Sequence, residues 1–327
     1  MSSALLEIQP TVETKNNLTV KINTILAFGI FALGVATKAS GAALALYVSN
    51  FDGTTIGEYN AATGAVINAN FITGVGNPAG LALSGNNLYA VIFGNTVREY
   101  DATTGAVINP SLVTAAGGLF GLALSGNRLY VLNTPSNTVG AYDATTGAAI
   151  AGFVPIGGLN DPQGMAISGN NLYVSNFNGT TVGEYNATTG AVINANFISG
   201  VIEATGLAVS GNNLYVAKFG SSTMTEYNAT TGAAIAGFAS PSGLNHPRGV
   251  AISGNNLYIS NQGDNTVREF DATTGAAIAG FTSPGGLSDP VGLAAPEPTS
   301  AVLLGIGTLL LAARRGRKHA GLPEAAG

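Results

Sequence analysis

Short apolar runs alternate with clusters of glycine, asparagine, serine and threonine through the middle of the chain. In residues 78–113 the apolar runs are GLAL, LYAVI, TVREYD and AVINP, and the clusters between them are SGNN, FGN and ATTG. Valine, isoleucine and tyrosine favour strands, whereas glycine and asparagine accept the positive φ of tight hairpins. This stretch therefore predicts four antiparallel strands joined by three turns. No helical spacing of apolar residues competes with that pattern.

The pattern recurs six times along the chain. A tyrosine in a strand segment returns at intervals of 42, 41, 43, 42 and 43 residues, and the glycine of an ATTG or AATG turn keeps step with it. Periods of about 40 to 45 residues that contain several strands are typical of β-propeller blades. We therefore predict an all-β fold, a six-bladed β-propeller of four-stranded antiparallel blades over residues 44–294. The markers are Tyr47, Tyr89, Tyr130, Tyr173, Tyr215 and Tyr258, and Gly64, Gly105, Gly147, Gly190, Gly232 and Gly275.

The two ends of this repeat array complement each other. The first copy begins at a second strand, residues 46–49, and the last copy finishes with a first strand, residues 291–294. If these segments pair, the last blade is completed by both ends of the array, and two free sheet edges disappear. We therefore expect the propeller to be closed by pairing of its N- and C-terminal strands.

Two kinds of segment carry a family resemblance. LYVSNFDGTTIGEYNAATGAVI, residues 46–67, and LYVSNFNGTTVGEYNATTGAVI, residues 172–193, resemble the YVTN type of propeller repeat. DPQGMAISGNNLYVSN, residues 161–176, is similar to the NHL type. The resemblance covers about residues 44–294 and implies a propeller. It implies no particular activity, because propellers host binding, scaffolding and hydrolytic functions alike.

The N-terminal segment has the order of an export signal. Lys15 and Lys21 precede the mainly apolar run 22–35, and small residues follow it. A basic region, an apolar region and a small-residue cleavage site define a signal peptide. Residues 1–43 are therefore predicted to be a helical signal peptide, with cleavage near 39–43.

The C-terminal segment pairs a short apolar run with a basic cluster. Residues 301–313 carry no charge, but they are shorter than the roughly 20 apolar residues of an ordinary membrane span. On length alone, a buried terminal helix is the alternative. A Pro-Glu-Pro motif precedes the run, and four cations follow it. These residues are Pro296, Glu297, Pro298, Arg314, Arg315, Arg317 and Lys318.

With the export signal in front, residues 295–318 resemble the PEP-CTERM sorting signal of bacteria that produce exopolysaccharide. The resemblance implies a short, transient transmembrane anchor and recognition of the Pro-Glu-Pro by an exosortase-type sorting enzyme. Cations retained in the cytoplasm would leave that motif at the outer face. Residues 319–327 are a tail beyond the basic cluster, where the family usually stops.

Composition excludes several classes of protein. Charged residues make up 9% of the chain and the formal net charge is −5, so binding to nucleic acid through phosphate contacts is not expected. The sequence contains no cysteine, which excludes disulfides, thiolate zinc sites and cysteine nucleophiles.

One set of polar residues could carry chemistry. It precedes the glycine of each first strand by three residues and is expected to converge on one face near the channel mouth. Oxygen ligands suit Ca²⁺, and a histidine with carboxylates suits another divalent metal or general base catalysis, as in propeller lactonases, which the set loosely resembles. Asparagine, aspartate or histidine before proline is also ordinary turn chemistry. The residues are Asn77, Asp161, Glu203, His246 and Asp289, with Gly118 in the sixth copy.

We interpret the set as turn residues and predict no catalytic residue, metal or other cofactor. The predicted protein is an exported, monomeric cell-surface or extracellular-matrix propeller that acts as a binding or structural module. Its expected partners are an exosortase, extracellular polysaccharide or surface proteins, and the membrane through the C-terminal segment. The alternative is a secreted, lactonase-like hydrolase or lyase with a metal at the channel mouth.

Overall fold

The computed structural model describes residues 45–296, which form 21 β-strands and no helix. The predicted signal peptide, and the C-terminal segment beyond Pro296, lie outside the described residues. The strands are β1 (Ala45–Asn50), β2 (Thr55–Asn60), β3 (Val66–Ile72), β4 (Pro78–Ser84), β5 (Asn87–Ile92), β6 (Thr96–Asp101), β7 (Val107–Thr114), β8 (Leu119–Ser125), β9 (Arg128–Asn133), β10 (Thr138–Asp143), β11 (Pro162–Ser168), β12 (Asn171–Asn176), β13 (Thr181–Asn186), β14 (Val192–Ser199), β15 (Ala204–Ser210), β16 (Asn213–Lys218), β17 (Thr223–Asn228), β18 (Pro247–Ser253), β19 (Asn256–Asn261), β20 (Thr266–Asp271) and β21 (Pro290–Ala294).

The strands form six antiparallel sheets, one for each sequence repeat. We name them units A to F in chain order. Unit A has the strand order β21-β1-β2-β3, unit B β4-β5-β6-β7, unit C β8-β9-β10, unit D β11-β12-β13-β14, unit E β15-β16-β17 and unit F β18-β19-β20. An all-β chain of six such sheets is consistent with a β-propeller.

The prediction of four strands per sheet is confirmed for units A, B and D. It is wrong for units C, E and F, which have three strands each. The outer segment of the four-stranded units begins Ala-Val-Ile-Asn, whereas the three-stranded units have Ala-Ala-Ile-Ala-Gly-Phe followed by proline. Alanine, glycine and proline are depleted in strands, and proline cannot donate to a ladder. In units E and F the outer segment makes one isolated bridge, Tyr227↔Ala234 and Phe270↔Ala277. A serine hydroxyl accepts a hydrogen bond from another backbone amide on the exposed edge of the third strand. In unit F, Ser283 Oγ accepts from Val267 N at 3.1 Å.

The predicted pairing of the two ends of the array is present. Strand β21 lies antiparallel to β1, with Tyr47 opposite Ala294 and Val48 opposite Leu293. Gly292 N donates to Ser49 Oγ at 2.6 Å, which ties the last strand to the first. Unit A is therefore assembled from residues that are more than 200 positions apart in the chain.

The first strands of neighbouring units contact one another in the order β4, β8, β11, β15, β18 and β21, and β21 also contacts β4. At the third residue of each of these strands a glycine faces the backbone of the next unit. A Cβ on Gly164 would overlap the Thr205 carbonyl oxygen, and one on Gly292 would overlap that of Ala79. Glycine is needed here for close approach of two backbones and not for positive φ. The six glycines are Gly80, Gly121, Gly164, Gly206, Gly249 and Gly292.

Five of the six marker tyrosines, all except Tyr89, donate a hydrogen bond to the next sheet. Tyr130 Oη donates to Ala187 O at 2.7 Å, and Tyr215 Oη donates to Ala272 O at 2.8 Å. Tyr258 Oη donates to Ala61 O at 2.9 Å, from unit F to unit A. Burial raises the pKa of Tyr215 to about 12, so its hydroxyl remains a donor. In these five units the tyrosine recurs because its buried hydroxyl ties one sheet to its neighbour.

Candidate functional site

The turns at one end of the strands are almost the same in every unit. The turn after the first strand reads Ser-Gly-Asn in units B to F, and the turn after the third strand reads Asn/Asp-Ala-Ala/Thr-Thr-Gly in all six units. In one of them Asp143 Oδ1 accepts from Thr145 N at 3.0 Å and Thr146 N at 2.8 Å, and Gly147 adopts a φ of 72°. These residues make the turn itself. We call this end the uniform face.

The turns at the opposite end differ from unit to unit, and we call this end the variable face. It contains the turns after the second strands and the connections into the next unit. Three equivalent positions illustrate the variation. They hold Phe51, Phe93, Thr134, Phe177, Phe219 and Gln262; Asn77, Gly118, Asp161, Glu203, His246 and Asp289; and Ala79, Phe120, Gln163, Thr205, Arg248 and Val291.

The five polar residues predicted from the sequence share one backbone role. Each adopts a positive φ of 42° to 51° directly before a first strand. The carbonyl of each accepts the amide of the residue after the second strand, as Asp161 O does from Phe177 N and Glu203 O from Phe219 N, both at 3.0 Å. Asparagine and aspartate tolerate this conformation best. The turn role was predictable from the sequence, and the members are Asn77, Asp161, Glu203, His246 and Asp289.

Their side chains make separate local contacts. Asn77 Nδ2 donates to Phe51 O at 3.0 Å, and Asp161 accepts from Gln163 and Asn178, both at 3.1 Å. His246 lies against the Phe219 ring at 4.6 Å. Within residues 45–296, no three Asp, Glu or His side chains are grouped so that they could hold a metal ion. The prediction of no metal and its Ca²⁺ alternative both stay predictions.

Sequence reasoning missed the residue at the centre of the variable face, Arg248. Its Nε donates to Gln262 Oε1 at 2.8 Å, and its Nη1 donates to Gln163 Oε1 at 3.1 Å, which reaches from unit F to unit D. Its Cζ lies 4.6 Å from the ring centroid of Phe219 in unit E, within cation–π range. A comparison of equivalent positions could have found it, because Arg248 is the single cation among the six.

The guanidinium of Arg248 is held in place by contacts other than an ion pair. Burial lowers the pKa of the guanidinium, and the fields of Asp289 and Asp161 oppose that shift. Among the described residues, the ion pair within 4.0 Å is Arg268–Asp264, and no carboxylate lies that close to Arg248. The guanidinium is therefore oriented by two neutral amides and one aromatic ring.

Asp289 is the polar group of this face with an unused buried atom. Its Oδ1 is inaccessible to solvent and has no hydrogen-bond partner. Burial and the nearby Asp52 carboxylate raise the pKa of Asp289, whereas the Gln262 side chain and the charge of Arg248 lower it. Such an acceptor is costly to leave unsatisfied.

Aromatic side chains flank the polar centre. Phe177 and Phe219 pack edge to face with centroids 6.1 Å apart, and Phe51 and Phe93 do so at 5.3 Å. Phe93 is half exposed. Behind them the first strands of the six units line a cavity of about 70 Å³. That volume has room for a few waters, so a larger ligand would lie across the face.

The buried glutamates of the third strands differ from the residues of the variable face, because they recur at the same position in five units. They recur as Glu58, Glu99, Glu184, Glu226 and Glu269, and each lies opposite a marker tyrosine, as Glu226 does opposite Tyr215. Burial raises the pKa of Glu226. Because five units carry the same pair, we interpret the glutamates as part of the fold.

Among the described residues, the search for a helix long and apolar enough to cross a membrane finds none. The comparisons with known proteins bear on the described part of the chain. Residues 178–278 match the family described as outer membrane protein assembly factor BamB. No curated protein matches the chain.

Among solved structures, the chain is similar to the crystal structure of a nidogen/laminin complex, with 15% identity, a TM-score of 0.62, and coverage of 77% of this chain and 98% of that one. It is also similar to the computationally designed Ika8 protein, with 18% identity, a TM-score of 0.50, and coverage of 76% and 74%. At such identities the likeness concerns the fold alone. Together with the repeat match, it identifies residues 45–296 as a β-propeller type of repeat domain.

Proposed function

We propose that the chain is an exported, non-enzymatic binding and structural module, built as a closed six-bladed propeller that presents its ligand site on the variable face. The observation that carries the proposal is the contrast between the two ends of the units, since the turns of the uniform face repeat almost unchanged whereas the turns and connections of the variable face differ from unit to unit. In near-identical repeats the fold places the same constraint on equivalent positions. Residues that differ between the repeats at such a position are therefore not required by the fold and can contact a ligand. Repeat proteins commonly bind on one face in this way.

Three contacts support the six-bladed closure. The first strands of the six units touch in order, and β21 touches β4. Gly292 approaches the carbonyl of Ala79, just as Gly164 approaches that of Thr205. The Tyr258 hydrogen bond to Ala61 joins the last sheet to the first. Closure on these contacts would leave no sheet open between units F and A.

Export and sorting rest on the ends of the chain. We propose that residues 1–43 are removed on export, and that an exosortase-type enzyme processes the protein at the Pro-Glu-Pro motif while residues 301–313 hold it transiently in the membrane. Pro296 is buried and lies two residues beyond the end of β21 at Ala294. A cut beyond Pro296 would therefore leave β21 in place. The released protein would act at the cell surface or in the extracellular matrix.

Cell fractionation followed by mass spectrometry tests this proposal. We expect the protein in the matrix fraction with a C-terminus upstream of Arg314, because the basic cluster orients the tail and remains inside. A variant with Arg314, Arg315, Arg317 and Lys318 all changed to glutamine should be retained in cells or misrouted. Recovery of the intact chain through Gly327 from the matrix would contradict the proposal.

A further inference from the structure

Resting on the proposed function, we propose that the part of the variable face formed by units D, E and F and by the connection into unit A binds one sugar unit of a neutral polysaccharide. We call this region the Arg248 site. It comprises Phe177, Gln163, Arg248, Gln262 and Asp289, with Phe219 beneath the guanidinium. The inference rests on the hydrogen-bonding groups, the aromatic surface and the charge of this region.

A fixed donor lies beside a carboxylate with an unsatisfied oxygen. Arg248 uses two of its five N–H groups on glutamine oxygens. The charge of Asp289 acts on Arg248, and Asp289 Oδ1 has no hydrogen-bond partner. A hydroxyl group both donates and accepts, so neighbouring hydroxyls of a sugar match the free N–H groups of Arg248 and the Asp289 carboxylate. Because Oδ1 is covered in the unbound protein, the carboxylate would turn toward the sugar on binding.

An apolar aromatic surface lies beside Arg248. Phe219 supports the guanidinium and contacts His246, so its faces are largely occupied. Phe177 packs against the edge of Phe219 and is partly exposed. A sugar ring has an apolar C–H side that can cover such an aromatic surface. A few oriented polar groups next to aromatic side chains are typical of a small-molecule site.

The charges of the described residues favour a neutral ligand. Residues 45–296 contain 13 acidic and five basic side chains, a formal net charge of −8. Asp52, Asp161, Glu203 and Asp289 lie on the variable face with Arg248. A uronate polymer would be repelled by these acids, and an aminated polymer would meet the fixed cation at its centre. A neutral polysaccharide avoids both penalties.

The site is also shaped for one unit of a chain. The cavity behind Arg248, about 70 Å³, is too small for a sugar ring. The ring would therefore lie across the mouth, and the polymer would continue over the face on both sides. This geometry suits an internal unit of a polysaccharide.

Affinity electrophoresis of the full chain tests the inference. The gels contain a neutral galactomannan or dextran, alginate as a uronate polymer, or chitosan as an aminated polymer. We expect retardation by at least one neutral polymer. Asp289→Gly should weaken that binding about ten-fold or more, because the site loses a charged acceptor. Unit C carries glycine at this position, and glycine suits the φ of 50°.

Asn77→Gly is the matched control, since it makes the same change at the equivalent turn of unit B, outside the Arg248 site, and should leave binding within about two-fold. Arg248→Lys keeps a cation but loses the planar fork, so it should bind as weakly as Asp289→Gly. Equal binding by all variants would overturn the inference, as would retardation only by alginate or chitosan, or by none of the polymers. If the protein nevertheless reaches the matrix, the proposed function stands and the sugar site alone falls.

Discussion

A chain that ends at Ser288 is expected to melt more than about 10 °C below the full chain. The truncation removes β21, in which all five residues are buried. It loses the packing of Val291 and Leu293 and exposes the edge of β1. Two buried aliphatic side chains and several ladder hydrogen bonds amount to about 5 kcal/mol, and each kcal/mol shifts the melting temperature of a domain of this size by about 2–4 °C.

The control is a chain that ends at Pro298, which loses the C-terminal segment but keeps β21. Thermal melting monitored by circular dichroism should place this control close to the full chain. Size-exclusion chromatography should show association of the shorter truncation alone, because its newly exposed β1 edge invites pairing. Equal melting temperatures for the two truncations would show that β21 does not close the array.

Gly164→Ala is expected to lower the free energy of unfolding by about 2–3 kcal/mol, the upper part of the range for overpacking in a filled core. The added Cβ would overlap the Thr205 carbonyl oxygen on the next unit, and a strand backbone cannot easily move away. Gly121→Ala makes the same change at the equivalent position of unit C, where the nearest atom, Gln163 O, lies 3.4 Å from the new Cβ.

Denaturant unfolding of the two alanine variants measures the difference directly. Gly121→Ala should cost less than about 1 kcal/mol, since the new methyl group makes an ordinary van der Waals contact. Neither glycine has positive φ, so loss of backbone freedom affects both variants alike. If both variants lose the same stability, close approach of the units is not the reason for glycine at this position.

The repeat pattern predicted the inner three strands of every unit, because their apolar runs and turn residues are local signals. It also predicted the pairing of β21 with β1, since a constant period fixes which strand each end supplies. The fourth strand of units C, E and F was predicted from a single copy, residues 78–113. The Ala-Ala and Gly-Phe segments of the other copies already contained the information that corrects it.

The candidate site was only half predictable. The turn positions of Asp161 and Asp289 follow from the proline after each of them, and their positive φ agrees with that expectation. Arg248 was missed because its partners Gln163 and Gln262 are 85 and 14 residues away and come together only when the units pack. No local spacing reports such a contact. Variation between equivalent positions is the sequence signal that points to it.

The central claim is that the variable face is where this protein binds its ligand. Hydrogen–deuterium exchange of the full chain, with and without polysaccharide from the extracellular matrix of the cells that produce it, tests that claim most directly. We expect slower exchange in peptides that cover residues 177–180, 219–222 and 246–249, and unchanged exchange in the uniform-face turns 143–147 and 186–190. Protection confined to the uniform-face turns, or no protection at a saturating polysaccharide concentration, would contradict it.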